Sequence, residues 1–200
     1  MRAFLRIGAA AAFSAALASC SLGGLMGGGG KAPPVLFTLT SDAPPATPVR
    51  AAAVGETVTI RLPVIPRELR TNRVPVEVSP TEVQYVTGLQ WVDTPDRLFQ
   101  NLVQETVRRT TSRVVIDPNQ TGLDPGLVVT GQLNRFGYDA QQGVVVVEYD
   151  ASLATQGGTH VETRRFEATA PADGSGASVG PALNAAANQV ATQVAQWIGG

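Results

Sequence analysis

Residues 83–107 read VQYVTGLQWVDTPDRLFQNLVQETV and set a strand-forming run directly before a helix. Val83-Gln84-Tyr85-Val86 is β-branched and aromatic, which suits a pleated, half-buried surface. Gly88-Leu89-Gln90-Trp91 then leads to Thr94, an N-cap residue with Pro95 at the first helical position and Asp96 behind it. From there Leu98, Phe99, Leu102, Val103, Thr106 and Val107 recur at helical spacing, predicting an amphipathic helix over about 95–110. Arg108, Arg109 and Arg113 gather at its end, where cations suit the helix dipole.

Upstream of this stretch, 35–39 (VLFTL) reads as a short strand, and 41–55, rich in Ala and Pro, as an extended surface loop. Residues 56–62 alternate cleanly: Val58, Ile60 and Leu62 face one way, Thr57, Thr59 and Arg61 the other, until Pro63 and Pro66 end the strand. A strand over 74–78 is expected to pair with 83–86 as a hairpin. Downstream, 113–116 reads as a buried strand stopped by Asp117-Pro118-Asn119. Residues 127–138, 143–153 and 160–169 then form a three-stranded antiparallel meander, with turns at 139–143 and 156–158. The last segment, about 179–198, places Leu183, Ala187, Val190, Val194 and Trp197 on one helical face. The expected architecture is a single α+β domain over 35–200, a mostly antiparallel sheet packed with two amphipathic helices.

The N-terminus carries a different signal. Arg2 and Arg6 precede an apolar run of 11 residues, 7–17, and then Ala18, Ser19 and Cys20. The run is too short to span a bilayer and has the layout of a secretory signal over 1–19. Leu17-Ala18-Ser19-Cys20 resembles the lipobox of bacterial lipoproteins, in which the cysteine is acylated and the signal is cut just before it. Two other readings stand beside this one. An ordinary signal peptidase acting after Ala16-Leu17-Ala18 would leave Cys20 a free thiol with no second cysteine to pair with. The other is an uncleaved membrane anchor, which its short length opposes. Acylation implies a strong tether, since each buried methylene contributes ~0.8 kcal/mol and stable attachment takes two chains. Ser21 after the cysteine favours the outer membrane, by analogy with proteobacterial sorting. Residues 20–34 would hold the lipidated cysteine and a Gly/Pro spacer, whose 14 residues 21–34 reach ~20 Å as a random coil.

Composition excludes some functions. With Arg2 and Arg6 removed, 13 basic residues face 16 acidic ones, a mature net charge of −3. That leaves no basic footprint for nucleic acid. His160 is the sole histidine, so no transition-metal site is expected. No G-x-S-x-G elbow accompanies Ser152, Ser175 or Ser178, and Gly27–Gly30 precedes no phosphate-cradling motif. Asp93, Asp96, Glu105, Asp117 and Asp124 are scattered. No catalytic constellation and no cofactor are expected. Trp197 reads as core. Trp91 reads two ways, as core or as an interface anchor, because tryptophan is enriched at binding hot spots.

The order of elements, with VTIRLPVIPREL at 58–69 and the opening stretch, resembles the ABC-type transport auxiliary lipoproteins, the PqiC-like family, over about 35–198. Phe37 stands where that family often has tyrosine, and Gln90 where an arginine is usual before the tryptophan. The resemblance implies a non-enzymatic, periplasm-facing accessory of an ABC-type lipid transport system. Its partners would be a mammalian-cell-entry (MCE) domain protein and the transporter components, met at a sheet edge or around Tyr85 and Trp91. An alternative of another class is an outer-membrane assembly or lipid-binding lipoprotein of the lipopolysaccharide-assembly type, with a lipid between sheet and helices. An uncharacterised hydrolase is a third reading, opposed by the missing motifs.

Overall fold

The computed structural model describes residues 35–45, 56–119, 126–155 and 160–199. The signal segment, Cys20 and the spacer lie outside the described residues, as do the expected turn at 156–158, Asp124 and 46–55 of the Ala/Pro-rich loop.

The meander is the backbone of the fold. β6 (Leu127–Asp139), β7 (Val144–Ala154) and β8 (Val161–Pro171) pair antiparallel in sequence order. The β6–β7 turn closes on Gly143, whose φ of +68° suits a residue without a Cβ. Asp139 secures the same turn, accepting the amide protons of Gln141 and Gln142 on Oδ1 at 3.0 Å each. A strand has two edges, and β7 takes one edge of β6 along its whole length. The other edge is shared end to end. β2 (Thr57–Ile60) lies parallel to β6 at 127–129, and β3 (Arg73–Ser79) lies parallel to it at 138–139.

β4 (Glu82–Trp91) forms the expected hairpin with β3, pairing Val76 with Gln84 and Glu77 with Val83. β1 (Leu36–Phe37) adds in parallel to the end of β4, and β5 (Val114–Ile116) adds in parallel to β2. The eight strands thus make one mixed sheet, antiparallel in its long ladders and parallel where the short strands join. The architecture is α+β in a single domain, as expected. The parallel joins were not legible from local pattern. Residues 88–91, expected as a lead-in to the helix, are the second half of β4.

Two helices cover one face. α1 (Pro95–Thr110) starts on Thr94, which has extended backbone angles but makes no side-chain cap bond; its carbonyl accepts from Arg97 and Leu98 at 3.1 Å. α2 (Gly176–Gly199) is capped by Ser175, whose hydroxyl accepts the Ser178 amide proton at 3.3 Å. Its buried stripe is Leu183, Ala187, Val190, Val194 and Ile198. Trp197, three residues after Val194, lies at the margin of that stripe: it packs against the core but is only half-buried, a partial correction of the core assignment made from spacing.

The core lies between helices and sheet. Trp91 sits in its midst at 0 % exposure, with the Phe136 ring 5.6 Å and the Phe37 ring 6.4 Å away; Phe99 packs on Tyr149 at 5.1 Å. After β1 the chain crosses the outer surface of the helix pair. Asn184 accepts the Thr40 amide proton at 2.9 Å, and Arg109 donates to the Ala43 carbonyl at 2.8 Å. Residues 41–45, the described part of the expected extended surface loop, form this strap.

Candidate functional site

Tyr85 and Trp91 both lie on β4, yet the structure puts them on opposite faces of the sheet. Strict alternation would place residues six apart on one face. Gly88 breaks the alternation: its φ is +75°, and the pairing with β3 jumps from Pro75–Tyr85 to Arg73–Gln90 across it. Val86, Leu89 and Trp91 therefore turn inward, while Val83 and Tyr85 face away from the helices. Trp91 offers no surface to a partner, so the interface-anchor reading gives way to core. Tyr85 stays half-exposed, and its ring is held in place. The Arg73 guanidinium lies 4.2 Å from the ring centre, and the phenol donates to the Glu68 carbonyl at 3.3 Å.

The helix-free face of the meander carries a polar network. Arg165 of β8 grips Asp150 of β7 with two bonds of 2.7 Å and reaches Glu148 at 3.3 Å. Asn134 donates to both carboxylates, at 3.1 Å to Glu148 and 2.8 Å to Asp150. The Arg165 bond, helped by Asn134, holds the Asp150 carboxyl below the usual carboxylate range. Further along, Arg135 of β6 joins Glu77 of β3 and, four residues on in its own strand, Asp139. Burial opposes ionisation of Asp139, but the Gln142 amide, the Arg135 guanidinium and the Gln141 amide outweigh it, and its pKa also falls below the ordinary value. Every charge in these groups already has an opposite partner.

The outer edge of β8 differs. Among the described residues β8 pairs only with β7, so no described strand lies on its other edge along 161–171. A shallow cleft runs beside it, lined by Arg164, Arg165, Phe166, Gln193, Gln196 and Trp197. Trp197 stands at the cleft wall with its ring 5.4 Å from Phe166, and its Nε1 donates to Glu162 at 2.8 Å. That bond ties the last turn of α2 to the edge strand. Arg164 has Glu162 at 4.0 Å and a side chain 54 % exposed. The edge of β8 that no described strand pairs lies far along the chain from the stretch around Tyr85. Nothing in the sequence pattern points there: Trp197, three residues after Val194, reads as core, and its position at the margin of the stripe is what brings it to the rim.

Chemistry of other kinds finds little here. Among the described residues no group of three His, Cys, Asp or Glu side chains is placed to hold a metal ion. Ser175 caps α2, and the Ser178 hydroxyl accepts the Asp173 amide proton at 3.1 Å, so both serines serve the helix start. His160 is exposed ahead of β8. Among the described residues no helix is long and apolar enough to cross a membrane.

This fold recurs in solved structures. Protein XCC0632 from Xanthomonas campestris, of the DUF330 family, superposes with a TM-score of 0.65 at 20% identity, over 82% of this chain and 94% of that one. A second, an uncharacterized protein, gives a TM-score of 0.61 at 15% identity, over 75% of this chain and 96% of that one. Both likenesses speak to the fold. No curated protein matches the chain. The family model of the ABC-type transport auxiliary lipoprotein component matches residues 37–195. The chain belongs to that family.

Proposed function

We propose that this chain is a non-enzymatic docking accessory of an ABC-type, MCE-associated lipid transport system, held by acylated Cys20 on the periplasmic side of the outer membrane. In this reading 1–19 is the removed signal, 20–34 the lipidated spacer, and 35–200 the body that meets the MCE-domain protein or a transporter component. Family membership supports the transport role. The observation that carries the docking role is the edge of β8, 11 residues long, that no strand among the described residues pairs, beside a rim tryptophan and an exposed arginine. Tryptophan and arginine are the side chains most enriched where interfaces concentrate their energy, and an open strand edge is a template for main-chain pairing. The lipid-binding alternative needs room between sheet and helices, and there Trp91, Phe99, Phe136 and Tyr149 fill the interior at 0–2 % exposure.

Affinity capture of the acylated full-length protein from detergent-solubilised membranes, followed by mass spectrometry, tests this. Enrichment of an MCE-domain protein or a transporter permease is the expected result. Recovery of neither, from a preparation shown to be acylated, would overturn the docking role.

A further inference from the structure

We propose that the outer edge of β8 takes up an extended segment of a partner protein in which a carboxylate side chain stands two residues from a bulky apolar one. The inference rests on the docking reading and names what docks.

The edge dictates the conformation. Its main-chain groups, which no strand among the described residues pairs, are matched by another strand and not by a helix, whose own donors and acceptors are used internally. The side chains then dictate the composition. Along β8, Glu162, Arg164 and Phe166 share the helix face, while Thr163 and Arg165 point to the other, because Phe166 is buried in the core. On the helix-free face Arg165 is already neutralised by Asp150 and Glu148. On the helix face Glu162 is engaged by the Trp197 indole, and Arg164 has that one acid at 4.0 Å and a side chain 54 % exposed. Arg164 is thus the cation placed to receive a carboxylate from an added strand, with the amide side chains of Gln193 and Gln196 lining the same cleft. Two residues further along the same face lies Phe166 with Trp197 against it, an aromatic wall at the cleft. A strand laid along this edge has its own same-face side chains two residues apart, so the acid opposite Arg164 sets an apolar neighbour opposite that wall.

The test uses the full-length protein and a fluorescent nine-residue probe, Thr-Val-Thr-Glu-Val-Phe-Thr-Val-Thr. Saturable binding below about 1 mM is expected. It should weaken at least about tenfold on Arg164→Glu, and a probe with Lys in place of Glu should recover the loss on that variant. Alternate backbone N-methylation of the probe should abolish binding, since it removes the main-chain donors. Tryptophan emission should shift on binding in the wild type and not in Trp197→Phe, because Trp91 is sealed in the core. Equal binding of the methylated and plain probes would overturn strand addition. Failure of the Lys probe to rescue Arg164→Glu, with that variant still folded by circular dichroism, would overturn the assigned composition. Sedimentation to a dimer that Arg164→Glu dissolves would assign the edge to a second copy instead. Probe binding with no transporter component captured would leave this inference standing and remove the proposed partner.

Discussion

The Nδ2 of Asn188, in α2, donates to the carbonyl of Thr40 at 2.8 Å. The Oδ1 of the same side chain accepts the amide proton of Asp42 at 2.9 Å. One buried amide thereby imitates a strand neighbour for the chain that crosses the helices. Its second Nδ2 bond returns to the Asn184 carbonyl one turn back, at 2.9 Å, which fixes its rotamer. Asn188→Ala leaves these strap groups without their partners. Net loss is expected at about 2 kcal/mol, from two bonds at ~1 kcal/mol each, measured by urea unfolding. Limited proteolysis should show new cleavage within 38–43.

Two glycines should respond differently to the same added methyl. A Cβ at Gly131 would run into the Asp150 carbonyl oxygen and come within 2.6 Å of the Tyr149 ring, in the middle of the β6–β7 ladder. Neither neighbour can retreat, so Gly131→Ala should cost about 2–3 kcal/mol. A Cβ at Gly180 would meet the Phe37 ring at 2.7 Å. Phe37 belongs to a two-residue edge strand that can give way, and Gly180→Ala should cost less and loosen β1. Thermal unfolding ranks the two variants, and amide exchange at Val92, which bonds the Phe37 carbonyl at 2.9 Å, should rise only in the second.

The indole nitrogen of Trp91 is buried with no hydrogen-bond partner among the described residues. An orphaned donor costs about 1–3 kcal/mol. Trp91→Phe removes it along with part of the ring, so the two effects oppose each other, and a change within about 1 kcal/mol is expected. Trp91→Ala opens a cavity with nothing to offset it and should cost about 3–5 kcal/mol. Urea midpoints of the two variants check the contrast.

Asp139 makes part of the stability depend on acid. Its pKa is lowered in the folded chain, so its contribution is present above the unfolded carboxylate value, about 3.9, and is lost as pH falls through the lower folded value. Asp139→Ala should cost about 2 kcal/mol near neutral pH by stripping the turn amides and Arg135 of their acceptor. The gap between variant and wild type should narrow below about pH 4. Chemical unfolding at pH 7 and pH 3 gives the comparison. A gap that stays constant would assign the loss to packing alone.

Local chemistry made much of this fold legible. The helix over Pro95–Thr110 announces itself through Pro95 and a 3.6-residue apolar stripe, and the meander through clean alternation on either side of turn residues. What escaped depends on long-range geometry. Whether β2 and β3 share one edge of β6 is decided by which strands reach it, and no two-residue period encodes that. The face of Trp91 relative to Tyr85 turned on one backbone angle at Gly88, where the sequence shows a glycine without saying that it flips the register. Trp197 sat close enough to the apolar stripe to pass for core, though 100° of helical turn separates it from Ile198. Cys20 and its flanks were read from residue type alone.

Photocrosslinking from the β8 edge bears most directly on the account. A photoreactive amino acid placed at Thr163, in the acylated protein in native membranes, should yield a covalent adduct with an MCE-domain protein or a transporter component, and Arg164→Glu in the same chain should diminish it. Adducts that contain neither, or equal yield of the transporter adduct from a control position at Asp173, would contradict a docking role for this edge.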